Sequence, residues 1–393
     1  LATGGTLATG GTLATGGTLA TGGTLATGGT LATGGTLATG GTPPVGNVMD
    51  ISAGAYHTCA IIKGAAYCWG DNEYYQLGNF TSGVAVKPTA VLQVTSGVSA
   101  ISAGEYHSCA VVNHRAQCWG ADYYNLLGFK PQSSSLHYHA NDVPGLTTGV
   151  TSVGAEWYQS CAVVNGSAKC WGNNNYDQLG DGTGKTSEGP VQVYGLTTGV
   201  TAISVGDMHV CAIAHDQVHC WGYGYTGALG NGGQMDASIP VRVSTLHPGV
   251  SAISAGGYST CAIVGGSLYC WGDVYTSNDT TSRRLFPTQV EGLESGVTAV
   301  ANGRGHVCAI VNGGVYCWGY NGQGGLGNNS TELSRTPVAV PGLSAGATAV
   351  AAGDYYSCAV VNDEIYCWGD NQYGQLGDGS TFDRLSPVKV LSP

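Results

Sequence analysis

The sequence predicts an all-β fold: a seven-bladed β-propeller with an N-terminal low-complexity tail of hexapeptide repeats. Three observations carry this. A Cys-Ala…Cys-Trp-Gly string, with eight residues between its cysteines, recurs seven times, its first cysteines 50, 52, 50, 50, 47 and 50 residues apart. Each copy contains four short strand-like segments separated by turn signals, the pattern of a propeller blade. All 14 cysteines and all but one of the 8 tryptophans lie in the strings. Residues 45–393 are assigned to the propeller and residues 1–44 to the tail.

Within a repeat the elements follow in order. The first strand is typified by Val98-Ser99-Ala100-Ile101-Ser102 and ends at Ala103-Gly104. A hairpin comes next, Tyr106 to Val112 against Arg115 to Trp119. A polar loop rich in Gly, Asn and Tyr usually closes on Leu-Gly, and a last strand resembles Pro190-Val191-Gln192-Val193. Seven such blades close a ring of about 28 strands with no long open edge.

The hairpins fix the cysteine chemistry. The residues midway between paired cysteines are Lys63-Gly64, Asn113-His114, Asn165-Gly166, His215-Asp216, Gly265-Gly266, Asn312-Gly313 and Asn362-Asp363. Asn-Gly and Gly-Gly favour the two-residue type I′ turn, in which both residues take positive φ. Counting back from such a turn sets Cys59 opposite Cys68 at a non-hydrogen-bonded site. There the Cα atoms lie ~4.5 Å apart, within disulfide range. The same count pairs Cys109 with Cys118, Cys161 with Cys170, Cys211 with Cys220, Cys261 with Cys270, Cys308 with Cys317, and Cys358 with Cys367. Structural zinc sites favour closer cysteine spacing and need four converging ligands, so the hairpin pairs fit them poorly. Disulfides in every blade imply an oxidising, extracellular compartment.

The pattern Ala-Gly-x-Tyr-His-x-Cys-Ala, followed by Tyr-Cys-Trp-Gly-Asp-Asn-Gln-Tyr-Gly-Gln-Leu-Gly over residues 366–377, resembles the regulator-of-chromosome-condensation repeat. The resemblance covers about residues 46–393 and is closest in flavour to secreted, disulfide-rich bacterial members. It implies a seven-bladed propeller but no single function. Known members include a nucleotide-exchange factor that binds chromatin, a plant ultraviolet photoreceptor and a secreted β-lactamase inhibitory protein. This chain differs from the first in its paired cysteines, few charges and lack of a basic tail. Its repeat tryptophans occupy one motif position and read as blade packing.

Composition narrows the partners. Charged residues make up 9% of the chain and the net charge is −11. Nucleic-acid binding needs clustered Lys and Arg, and 13 scattered basic residues do not supply them. No apolar run approaches the ~20 residues that span a bilayer. The chain opens on Leu1 without a signal-peptide pattern, which reads as a processed or truncated form. Neither a phosphate loop, a nucleophile elbow nor a free cysteine is evident, so the chain reads as a non-enzyme without cofactor or metal.

Candidate binding residues lie in the loops after each Trp-Gly: Tyr74, Tyr75, Tyr123, Tyr124, Tyr176, Tyr223, Tyr225, Tyr275, Tyr320 and Tyr373. Tyr outnumbers Phe 22 to 4, and its apolar ring with a polar tip suits interfaces. Loop packing and a sticky face are both open readings. Trp157, outside the repeat motif, is a candidate exposed anchor, in a repeat with two extra residues near Glu156. Two positions before each first cysteine stand His57, His107, Gln159, His209, Ser259, His306 and Tyr356; the four histidines could ring the axis as metal ligands, but each is expected to bond a neighbouring blade's backbone instead. The second repeat replaces Pro-Val-x-Val with Leu136-His137-Tyr138-His139, read as a loop variation. Glycosylation sequons occur at Asn79, Asn165, Asn278, Asn328 and Asn329.

Residues 1–42 are perfect copies of Leu-Ala-Thr-Gly-Gly-Thr. With so much Gly such a segment is disordered when alone, and ordering it calls for repeated contact with other subunits. A strand, a polyproline II helix and a hexapeptide β-helix all accommodate the period. Fully extended, the tail reaches about 140 Å at ~3.3 Å per residue. The leading functional reading is therefore a non-enzymatic extracellular structural subunit that assembles into a homo-oligomer, filament or surface layer through its tail. The alternative is a secreted module that recognises a protein or glycan with its tyrosine loops.

Overall fold

The computed structural model describes residues 47–129, 136–273 and 283–393. The tail, Tyr275 and Asn278 lie outside the described residues, and with them the tail-mediated assembly. Among the described residues no helix is long and apolar enough to cross a membrane.

Seven four-stranded antiparallel sheets follow one another along the chain, each built from consecutive strands. The first blade comprises β1 (Val48–Ala53), β2 (His57–Ile62), β3 (Ala65–Gly70) and β4 (Ala85–Ala90). The remaining blades span 98–142, 150–192, 200–242, 250–289, 297–339 and 347–389. First strands line the axis and fourth strands form the rim, as the burial falls from nearly complete to partial across each blade. Six of the seven rim strands carry a proline, such as Pro190 and Pro240, which blunts an otherwise open edge. The exception is the second blade. There Leu136–Asp142 forms the fourth strand, with Gly120 opposite His137 and Gln117 opposite Asp142. The expectation of a loop variation there is corrected: the period-2 alternation of this segment suffices for pairing without the Pro-Val signature.

The hairpins are as the turn chemistry requires. Lys63, Asn113, Asn165, His215, Gly265, Asn312 and Asn362 have φ between 49° and 59°, and the following residue is also at positive φ in every case. The resulting register sets Cys59 against Cys68 with Cα atoms 4.1 Å apart, and all seven predicted disulfides are formed.

Seven hydrophobic clusters, one at each junction between adjacent blades, make up the core. Each blade's motif tryptophan is fully buried at such a junction. In every blade but the sixth, whose preceding loop lies outside the described residues, its indole N–H donates to a loop carbonyl of the preceding blade: Trp119 to Gln76 at 2.9 Å, Trp221 to Gln178 at 2.9 Å and, across the ring closure, Trp69 to Gln375 at 2.8 Å. The Leu-Gly ending of the polar loops that carry it explains itself here. A Cβ on Gly180 would lie 2.6 Å from the Trp221 indole nitrogen, and one on Gly377 would lie 2.7 Å from that of Trp69. The glycine of one blade is the seat of the next blade's tryptophan.

A second inter-blade link is polar. His57, His107, His209 and His306 place Nε2 within 2.7–2.8 Å of Ser108, Ser160, Thr260 and Ser357 of the following blade. The expected partner was backbone; these histidines instead meet a hydroxyl, whereas Gln159 and Tyr356 do reach backbone carbonyls, those of Gly206 and His57. The Ser160 hydroxyl spends its hydrogen on the Leu126 carbonyl at 2.9 Å, so His107 Nε2 must be the donor.

Burial holds His57 and His107 down to about 3, and His209 and His306 to about 4. A histidine depressed in the fold binds its proton in the unfolded chain first. Its contribution to stability is therefore complete above its ordinary value and is lost as pH falls below it. His107→Gln keeps a donor and removes the titration. The variant is expected to lose about 2 kcal/mol less than the parent between pH 7 and pH 5. Denaturant melts at the two pH values check this, and groups common to both proteins cancel in the difference. Parallel acid limbs would show that His107 is not held neutral by the fold.

Candidate functional site

Antiparallel strand order places the loop between strands one and two, and the loop between strands three and four, at the same end of every blade. The hairpin turns lie at the other. The tyrosine loops therefore share one face.

These loops are held rigidly from within. In the first, Asn72 accepts from the Leu77 amide at 3.0 Å and donates to the Thr81 carbonyl at 2.6 Å. Gln76 accepts from the Tyr74 amide at 2.9 Å, and its own amide donates to Asp71 at 2.8 Å. Gln178 and Gln375 hold the Tyr176 and Tyr373 amides in the same way, at 2.8 and 2.9 Å. The Asp-Asn-x-Tyr-x-Gln-Leu-Gly loop thus spends its polar side chains on its own backbone and leaves its tyrosine ring outside.

Tilted and edge-to-face aromatic contacts then bridge the blades, an arrangement favoured by ring quadrupoles. Tyr74, Tyr106 and Tyr123 form a triad with centroids 4.9–6.4 Å apart. Tyr124 meets Tyr158 at 5.2 Å, Tyr176 meets Tyr223 at 5.3 Å, Tyr320 meets Tyr355 at 5.7 Å and Tyr373 meets Tyr56 at 5.2 Å. Tyr225 adjoins Tyr223 and carries the Arg283 guanidinium over its ring at 4.5 Å. Tyr123, Tyr124, Tyr176, Tyr225, Tyr320 and Tyr373 remain exposed, while Tyr74, Tyr75 and Tyr223 are half-buried. Tyr75 stands apart, stacked on Tyr138 near the rim.

Trp157 is not the exposed anchor expected. It is half-buried, with the Arg304 guanidinium 4.2 Å above its ring. The extra residues expected near Glu156 are not there: Glu156 pairs with Gln159 across a turn as short as those of the other blades, and the added length lies in the second blade, where Cys118 pairs with Asn141 while Cys68 pairs with Thr89 and Cys170 with Val191. Trp157 takes the variable axial position that Glu105 holds in the second blade.

Four charged residues that the sequence reading passed over lie at the axis: Glu105, Asp207, Arg304 and Asp354. Each follows the glycine that ends a first strand, and that variable position of the Ala-Gly-x-Tyr motif was the available signal. Arg304 pairs with Asp354 at 3.2 Å and approaches Asp207 at 3.8 Å. Burial pushes Glu105 and Asp207 up to about 7, with the neighbouring Asp354 adding to the rise and Arg304 opposing it. Among the described residues no group of three or more metal-ligating side chains converges. His137 packs against Phe129 at 4.9 Å and His139 against Phe80 at 5.4 Å.

The regulator of chromosome condensation (RCC1) repeat matches residues 63–111, 165–213, 215–263, 312–360 and 362–393, more than half of the chain. A second form of the repeat matches 347–375. No curated protein sequence matches significantly. Among solved structures, human WBSCR16 is similar with a TM-score of 0.74 at 20% identity, covering 83% of this chain and 94% of its own. Prp20p of Saccharomyces cerevisiae gives 0.72 at 18%, covering 83% and 85%. The CRINKLY WD40 ectodomain of the Arabidopsis thaliana receptor kinase ACR4 gives 0.52 at 19%, covering 88% and 100%. At these identities the likeness is one of fold.

Proposed function

Because the chain belongs to the regulator of chromosome condensation repeat family, we propose that it is a non-enzymatic, extracellular binding module that grips a protein partner with its tyrosine face. The observation that carries this reading is the belt of exposed, pre-positioned tyrosines around one end of the ring. Tyr gives large contact area for little side-chain entropy, and here the stacked rings and pinned backbones have already met most of that cost. Relatives support a protein ligand: Prp20p is described by its binding to Gsp1p and histones, and yeast RCC1 was solved bound to Kap60. The seven buried disulfides suit an oxidising environment. The filament or surface-layer reading rests on residues 1–44, and no described residue adds to it.

The test compares immobilised full-length protein with a Tyr124→Ser, Tyr176→Ser, Tyr225→Ser variant in the extracellular fluid of the producing organism. These side chains are exposed, so Tm should move by no more than about 2 °C. A partner retained stoichiometrically by the parent should be retained at least about tenfold less by the variant. Tyr194→Ser, at the opposite end, should retain it fully. Equal retention by all three proteins, or by none, would overturn the reading.

A further inference from the structure

The centre of the tyrosine face is an incompletely satisfied charge site. Arg304 belongs to the sixth blade, yet its guanidinium touches Asp354 of the seventh, Asp207 of the fourth and Trp157 of the third. A side chain that reaches all three must lie across the axis. Three carboxylates, those of Glu105, Asp207 and Asp354, face this one cation, and each residue is at most 5% exposed.

The resident arginine leaves much undone. Its hydrogen bonds go to Asp354, 3.2 Å away, and to Tyr258. Asp207 Oδ2 lies 3.8 Å from the Arg304 Nε and accepts no hydrogen bond. Trp157 Nε1 donates none. Independently of the carboxylates, the fully buried Gln159 gives its amide N–H to Gly206, the residue before Asp207, at 2.6 Å and leaves Oε1 without a partner. Buried polar atoms left unpaired cost about 1–3 kcal/mol each; the unpaired atoms of Asp207 and Trp157 belong to two residues that the Arg304 guanidinium already adjoins, and they point to a ligand that completes them.

We propose that this mouth reads an arginine of the partner protein, whose guanidinium takes the seat over Trp157 against Asp207 and Glu105 while Arg304 withdraws to Asp354. A planar guanidinium fits because Arg304 already shows the geometry: a flat cation over an indole, flanked by carboxylates. Three carboxylates accommodate two guanidinium groups with a net charge of one.

The proposal rests on the tyrosine-face reading only in sharing its location, and the test separates them. Full-length oxidised protein is titrated calorimetrically with end-blocked Gly-Arg-Gly, and with the same peptide carrying citrulline or lysine. One site is expected for the arginine peptide, with the citrulline peptide at least tenfold weaker and the lysine peptide several-fold weaker. Asp207→Asn should weaken arginine binding at least tenfold. Arg304→Gln, which removes the resident competitor, should strengthen it about tenfold. Trp157→Phe, a milder change should Asp207→Asn not fold, should weaken it several-fold.

Binding should also strengthen from pH 6 to pH 8 and release protons below pH 7. Glu105 and Asp207, each held up to about 7, must ionise to meet the cation. The groups facing them, besides each other, are Asp354, Arg304, Tyr56, Tyr74, Tyr106 and Tyr158. Arginine binding by neither the parent nor Arg304→Gln would overturn the proposal, as would equal binding of the citrulline or lysine peptide, or indifference to both Asp207→Asn and Trp157→Phe. The Tyr124, Tyr176, Tyr225 variant should bind the peptide as the parent does, so that a failed peptide titration and a failed partner capture point to different faults.

Discussion

Trp69→Ala should destabilise the propeller by about 3–5 kcal/mol and open it between the first and seventh blades. Trp69 is fully buried at the one junction that the chain does not tether, where residues near 50 meet residues near 360. No strand is exchanged across this seam, because each sheet is made of consecutive strands. Closure therefore depends on the hydrophobic cluster, on the Trp69 bond to the Gln375 carbonyl, and on Tyr356, which donates to His57 at 2.7 Å and accepts from Thr58 at 2.9 Å. Alanine would leave a cavity against Gly377 and remove one of the two donors to the Gln375 carbonyl, the other being the Thr58 hydroxyl at 2.8 Å. Trp221→Ala should cost a similar amount locally, but its flanking blades stay joined by the chain between residues 192 and 200. Hydrogen exchange distinguishes the two. In Trp69→Ala, residues 48–62 should exchange at a free energy well below that of global unfolding; in Trp221→Ala they should not. Equal protection of that segment in both variants would show that the seam is held by something other than its tryptophan.

Reduction in denaturant should abolish refolding for as long as reductant is present. Each disulfide closes a loop of about 10 residues, worth about 2–3 kcal/mol through the unfolded chain. Seven together reach the order of 15 kcal/mol, as large as the whole stability of an ordinary domain. In native buffer the same reductant should act slowly, since every cysteine is at most 1% exposed. Circular dichroism during dilution from denaturant, with and without reductant, checks the first statement. Non-reducing peptide mapping should recover the seven intra-blade pairs alone. Full refolding in reductant would mean that blade packing suffices without the bridges.

Much of this was legible in the residues because the determinants are local. A two-residue turn with both φ positive sets the hairpin register, and the register sets the disulfide. Repetition then multiplies one local answer into seven blades. The fourth strand of the second blade was misread because its signature was compositional, whereas strand pairing responds to alternation and to a neighbour's free edge. Trp157 was misread as exposed because a lone tryptophan outside a motif says nothing about which way it turns, and it fills the axial position that Glu105, Asp207, Arg304 and Asp354 hold in other blades.

By itself the sequence determined the repeat, the propeller, the disulfide pairs and the clustering of Tyr74, Tyr124, Tyr176 and Tyr373 at equivalent loop positions, all consequences of spacing within about fifty residues. Only the tertiary structure decided what meets across the axis and across the blade junctions: Arg304 over Trp157 and beside Asp207, His57, His107, His209 and His306 against the next blade's hydroxyl, and tryptophans such as Trp221 and Trp69 on the preceding blade's glycine. Ring closure brings together residues of different blades that no short-range pattern links. A charge such as Glu105 or Arg304 shows its role only when the pseudo-sevenfold axis gathers those variable positions into one desolvated mouth.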